Sequence, residues 1–560
     1  MARTLRWIRY VRVHPIILGL VALTGCLGSV DGTAGPGAGP GGIEGSPIPG
    51  LDGEYAPLVP APPRMVRLTQ AQYRNAVEDV FGAGARPEAP LPNDDGAEAF
   101  SSIGASLATT TVGAVERYRD AALEVARWAV VNRETIPALA GCVPGSATDP
   151  CIEQAVRDLG RRLWRRSLSD EEVAPIVAVV GAAGEGAEDL ALGLEYALAV
   201  LLQSPNFLYV PYVGEQDPAT GVRRYTSIEM ASRLALFFWN SIPDRELLEA
   251  ADADALTDPD DIADQVARML EAPRAEGFGA RFFDEAWHVA NLRADSKNSE
   301  IFPEWTPEVA AAARSEYELL LEQFTAPGQR FFDIFSTGQG YANAALAPLY
   351  ETQAPGADLS PIDWGTKRKG ILTSVALLAA NAKAHRTSPT QRGMFVRADL
   401  LCLSVPPPPE GVVAELMEEE MANTENLSVR DKLALHQTDP TCASCHALFD
   451  PMGLALENFD AIGRFREKDQ GMTIDASATF EDVPLDGAVD VAKLIESDPR
   501  TRACLAKRLY AYASGHMPTE GEAGVVEALG DYLVQEGEVF MALAKGIAVS
   551  TGFRFMAEAK

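Results

Sequence analysis

Positive charge is the first thing this 560-residue chain lacks: 48 Lys and Arg stand against 79 Asp and Glu, a formal net charge of -31. Such a surface repels phosphate backbones and anionic headgroups, which argues against a nucleic-acid partner. A basic protein partner would suit it, but a plainly solvated acidic surface explains it as well. Histidine is scarce too, with six residues, and none falls in the His-Glu-x-x-His pattern of zinc peptidases. A Gly-rich phosphate loop and a nucleophile elbow are also missing, so neither P-loop nor α/β-hydrolase chemistry is signalled. There is no internal repeat and no apolar run of bilayer length; the stretch from Ile16 to Leu23 is too short to span.

What is present begins at the N-terminus. Arg3, Arg6, Arg9 and Arg12 precede that apolar stretch, the order of an export signal. It ends in Leu23-Thr24-Gly25-Cys26, which resembles the bacterial lipobox and makes Cys26 the lipidation site; ordinary secretory cleavage is the alternative. Either reading exports the mature chain. The first makes it a periplasmic or outer-membrane lipoprotein that meets the membrane through its anchor only. Residues 1–25 are thus read as signal peptide and 26–62 as a flexible tether, because Gly32 to Gly50 is rich in Gly and Pro and almost free of large apolar side chains. The remainder, in a chain that is 47% apolar, is long enough for about three or four domains.

Seven cysteines follow an arithmetic of their own. With Cys26 given to lipid, Cys142 and Cys151 flank a short loop that a disulfide would staple. If Cys442 and Cys445 are used elsewhere, the leftover pair is Cys402 with Cys504, and no thiol is orphaned. Free, buried thiols are the alternative at these positions, since cysteine also packs as a small hydrophobe.

Most of the body reads as helix, so the fold class is mainly α. Thr69 and Gln72, Ser169 and Glu172, and Thr226 and Glu229 stand in capping-box spacing before apolar periodicities. Helical patterns continue from Ile262 to Leu270, Ala275 to Leu292, Pro307 to Phe324, and Lys369 to Ala382, while the prolines from Pro406 to Pro409 exclude helix. Arg161, Arg162, Arg165 and Arg166 are placed on one helical face, to be used in ion pairs or as a docking patch. Phe237, Phe238 and Trp239 read as core. Strand patterns are sparse, the best being Asn206 to Val213 and a weaker one Thr473 to Phe480.

The segment that carries chemistry is Thr441-Cys442-Ala443-Ser444-Cys445-His446, a Cys-x-x-Cys-His motif. Covalent haem needs two thiols spaced to meet two vinyl groups on one porphyrin edge, and an imidazole beside them to reach iron from the same side; one helical turn provides this. The expectation is one haem c, held by Cys442 and Cys445 with His446 as proximal ligand. Zinc would need two further ligands, and thiol redox chemistry a βαβ setting that these flanks do not offer. A sixth ligand is left open among Met452, His436, Met472 and Met517. His288 and His385 have no nucleophile near them in sequence and read as packed or hydrogen-bonded side chains.

Past His446 the chain continues Asp450-Pro451-Met452-Gly453-Leu454-Ala455-Leu456-Glu457-Asn458-Phe459-Asp460-Ala461-Ile462-Gly463-Arg464, and upstream it has Thr387-Ser388-Pro389-Thr390-Gln391-Arg392-Gly393 before the prolines. These strings resemble planctomycete-type cytochrome c-like proteins. Modules of unknown function in that family are similar to Arg67 to Gly82, Arg161 to Val173, Tyr225 to Leu292 and Ala503 to Glu520. A departure is Ser514-Gly515-His516-Met517, where relatives show Gly-Arg. The resemblance implies an exported haem protein in which Arg392 meets a haem propionate.

The architecture expected is therefore a multi-module helical body with a small c-type haem-binding module near the C-terminus. After the tether come N-terminal (63–150), small (151–215) and central (216–350) helical modules. A cytochrome c-like module (366–468) and a C-terminal helical module (469–560) follow. Electron transfer with a redox protein partner is the leading function. A haem-dependent oxidoreductase acting on a polymeric or sugar-like substrate is the second, and a binding or scaffold protein with structural haem the third.

Overall fold

The computed structural model describes residues 42–94, 100–289, 292–353, 356–406, 427–438 and 440–558, the side chains at 185, 186, 436, 440 and 441 excepted. Cys26 and the prolines from Pro407 to Pro409 lie outside the described residues. The fold is mainly helical, and the described part from Gly42 onward is one compact unit. No described helix is long and apolar enough to cross a membrane.

The first described residues correct the tether. Residues 42–62 are folded: Ile43 bridges Leu58, and Ile48, Leu51 and Leu58 are buried. The backbone N–H of Thr551 donates to the Pro47 carbonyl and that of Val59 to Gly521, so the C-terminal helices hold this segment. Four apolar side chains and shared backbone bonds outweigh the Gly and Pro content that suggested disorder.

Helix starts follow local chemistry. Thr69 and Thr226 each close a full capping box, with Gln72 and Glu229, at the heads of helices Gln70–Phe81 and Ser227–Trp239. Asn240 ends the second of these in the left-handed region. The helical patterns further on shorten to Phe278–Ala286 and Val375–Ala380, while Pro307–Thr325 and Pro259–Glu271 run nearly as patterned. Asn206 to Val213 is only partly strand. Ser204 caps a turn of helix, Pro205–Leu208, before strand Tyr209–Pro211 pairs antiparallel with Met65–Arg67.

The four arginines do not share a face. Helix Pro150–Leu163 stops before Arg165, whose backbone turns to φ 59° and whose buried guanidinium donates to the carbonyls of Leu163, Asn206, Phe207 and Tyr209. Arg166 grips Glu172 with two bonds of 2.8 and 2.7 Å, and Arg161 pairs with Asp252. They are interior staples and ion pairs.

Aromatic rings join the central helices to the C-terminal ones. Phe283 stacks on Phe331 at 4.9 Å and meets Phe540 at 5.5 Å, while Phe237 meets Phe278 edge-on at 5.2 Å. Phe237, Phe238 and Trp239 are all buried in this core.

The segment with the Cys-x-x-Cys-His motif is fastened to that body by a helix crossing. Helix Pro389–Met394 lies against helix Asp450–Leu454, and each offers a glycine at the contact. A methyl group on Gly453 would fall 2.7 Å from Pro389 Cα, and one on Gly393 2.6 Å from the Phe449 carbonyl carbon. Only glycine lets the two backbones approach so closely.

Candidate functional site

Helix Pro440–His446 carries both thiols and the imidazole. Cys445 follows Cys442 by three positions, so one helical turn sets both thiols on the same side. Both are half-buried and unpaired. The other described cysteines are joined: Cys142 to Cys151, and Cys402 to Cys504 across 102 residues. The second bridge ties Cys402, upstream of the motif, to helix Pro499–Ser514. Two disulfides place the protein in an oxidising, extracytoplasmic compartment.

His446 closes the motif with its ring against Phe449, at a centroid distance of 5.1 Å. Its Nδ1 is 2.9 Å from Asp450 Oδ2, four residues on. Asp450 is fully buried, and two more groups donate to it: Thr390 Oγ1 to Oδ1 and Gln437 Nε2 to Oδ2, each at 3.0 Å. With a carboxylate as acceptor, Nδ1 carries the hydrogen, which makes Nε2 the nitrogen suited to a metal. Two unpaired thiols one turn apart and an imidazole oriented in this way fit the donor set of covalent haem.

The remaining candidates are dispersed. Met452 is fully buried on helix Asp450–Leu454 and packs into the main core. Met472 sits half-buried in a short strand, lining a recess with Val429, Arg430, Leu454 and Glu457. Met517 is 43% exposed, and its neighbour His516 is buried against Glu522 at 3.1 Å. His436 ends helix Val429–His436 with its side chain outside the described residues. His288 is half exposed, 3.7 Å from Asp399.

Arg392 is put to another use than the one expected. It is 1% exposed, and its guanidinium donates to the carbonyls of Leu456, Phe459 and Asp460 at 2.8 to 2.9 Å. Burial pushes it down to about 10, and burial likewise pushes its neighbour Glu457 up. A propionate in solvent cannot reach a guanidinium enclosed by backbone. Arg392 instead pins the loop that follows helix Asp450–Leu454 through these carbonyls.

The rest of the long string is scaffold of the same kind. Asp460 accepts from the backbone N–H groups of Ile462 and Arg464 and so shapes the turn at Gly463. Glu457 accepts from Thr387 Oγ1 at 2.8 Å. Lys297 reaches in from the central region to the carbonyls of Ala379, Ala382 and Lys383, and burial lowers it to about 8. Asp450, Thr390 and Gln437 were not read as site residues from sequence. The only local signal was the spacing of Asp450, four residues after His446.

Comparison with known families gives four matches along the chain. PSCyt3, a protein of unknown function (DUF1588), matches residues 368–469, which contain both the Cys-x-x-Cys-His motif and the helix crossing. PSD4 (DUF1592) matches 225–352, PSD5 (DUF1595) 151–211 and PSD3 (DUF1587) 67–131, each likewise described as a protein of unknown function. No curated protein and no solved structure matches the chain.

Proposed function

The chain is a planctomycete-type multi-domain protein with a cytochrome-like module, and from that premise we propose that the module holds one covalent haem c for electron transfer outside the cytoplasm. Cys442 and Cys445 would hold the porphyrin edge and His446 Nε2 the iron. When bound, the haem supplies reversible one-electron chemistry at iron. Each thiol would add across one vinyl group, its hydrogen passing to the adjacent vinyl carbon, so that attachment would consume no oxidant. Asp450 keeps the His446 ring aimed. The glycine crossing holds Asp450 beside helix Pro389–Met394, and Arg392 pins the loop that follows.

The observation that carries this reading is the pair of unpaired thiols, one turn apart and next to an oriented imidazole, in a chain whose other described cysteines are bridged. The remaining helical modules would receive a redox protein partner. Lipidation at Cys26 would tether the whole to a periplasmic or outer-membrane surface; labelling with a tagged fatty acid, abolished in Cys26→Ala, tests the anchor.

The haem is tested by expression with the c-type maturation system and a pyridine haemochrome spectrum. Denaturing electrophoresis stained for haem should show a band in the wild type that is lost in the Cys442→Ala, Cys445→Ala variant. A haem that survives denaturation in that variant, or a colourless wild type, would overturn the assignment.

A further inference from the structure

We infer that Asp450 is a positioning residue that makes His446 a strongly electron-donating iron ligand and so biases the proposed haem toward the ferric state; this rests on the haem attachment proposed above. Asp450 is fully buried, and the only ion pair it enters among the described residues is with His446. Its other partners, Thr390 Oγ1 and Gln437 Nε2, are neutral donors. Among the described residues no Arg or Lys pairs with the carboxylate, which faces Nδ1 across 2.9 Å from an enclosed position. An imidazole N–H that donates to a buried carboxylate gains basicity at the opposite nitrogen. That favours the more positive oxidation state of a metal bound there.

The orientation is imposed from the core rather than by the motif helix. Asp450 heads helix Asp450–Leu454, and Thr390 belongs to helix Pro389–Met394. The close glycine contact between these helices is what brings Thr390 to 3.0 Å from Oδ1. Thr390 also sets how much charge is left for His446, because each donor to the carboxylate draws density from it.

Two substitutions should act in opposite directions. Asp450→Asn removes the charge, and at a fixed potential the ferric-to-ferrous ratio should fall at least tenfold, a rise in midpoint of about 59 mV for a one-electron couple. Thr390→Val removes a donor to Asp450 and should shift the midpoint the other way, by less. Spectroelectrochemical titration of each matured variant reads both, and a role in stability alone would not split their signs. If both variants keep a covalent haem and their midpoints are unmoved or shift together, the inference fails while the haem stands. If the wild type carries no covalent haem, both fail. Should Asp450→Asn not mature, the sign of the Thr390→Val shift decides.

Discussion

The glycine crossing makes a severe demand on a single methyl group. In Gly453→Ala the new Cβ would stand 2.7 Å from Pro389 Cα, whereas two carbons settle at about 3.5–4.0 Å. The Pro389 carbonyl lies closer still, so the helices must separate by more than about 1 Å. Overpacking of this kind costs about 1–3 kcal/mol by itself. The separation also pulls Arg392 from the carbonyls of Leu456, Phe459 and Asp460, whose bonds of 2.8 to 2.9 Å would lengthen beyond useful range. Hydrogen bonds to a charged group contribute about 1.5–3 kcal/mol each, so losing one or two brings the total to at least about 2.5 kcal/mol. Urea unfolding followed by circular dichroism measures it, with Gly530→Ala as control. Gly530 lies inside helix Ala523–Gln535 with its nearest neighbour at 3.8 Å, and there alanine should stabilise by about 0.5–1 kcal/mol. A Gly453→Ala loss below about 1 kcal/mol would refute the close-approach argument, since overpacking alone should exceed it.

Three further outcomes follow from buried groups and from the long disulfide. Burial pushes the Glu316 carboxyl up to about 8, against the bonds it accepts from the Tyr350 hydroxyl and the Tyr341 N–H. The folded state thus keeps a proton that the unfolded chain has lost, so this contribution is complete below about pH 4.5 and fades as pH rises to 8. Glu316→Gln should flatten the stability profile across that window and be the more stable protein at pH 8; parallel wild-type and variant profiles would contradict this. Glu522 is the opposite case. Burial disfavours its charge, but bonds from His516, Thr519 and Tyr510 outweigh that and hold it down at about 2. Its contribution, about 3 kcal/mol, is present above pH 4.5 and lost as pH falls toward 2, so the stability difference between wild type and Glu522→Gln should shrink through that range in acid-titrated thermal melts. Finally, Cys402→Ser with Cys504→Ser opens a loop of 102 residues and should cost about 2–5 kcal/mol, with wild type under reductant behaving alike; equal melting of all three would remove the bridge from the account.

Short-range features were readable because their partners lie within a turn. Thr69 with Gln72, and Thr226 with Glu229, satisfy helix donors three residues apart, and any chain that places them so offers the same bonds. Cys442, Cys445 and His446 likewise need only one turn of helix to share a side. Arg392 was misread for the converse reason. Its carbonyl partners lie 64 to 68 residues further on, and nothing beside it in sequence distinguishes a guanidinium that serves backbone from one that serves an anion. Residues 42–62 were misread because the surfaces that bury Ile48 and Leu58 include helices at the far end of the chain. Gly and Pro counts describe only what a segment can bury alone.

By itself, then, the sequence determined the helical class, the helix starts marked by capping boxes and the thiol–thiol–imidazole motif, all of which depend on spacing along one element. Tertiary structure decided that Asp450 is enclosed and faces His446, that Thr390 and Gln437 complete its shell, and that two glycines let the helices meet. Burial and close approach are properties of pairs of distant segments, and a charge at position 450 has a different chemistry once the chain has folded over it.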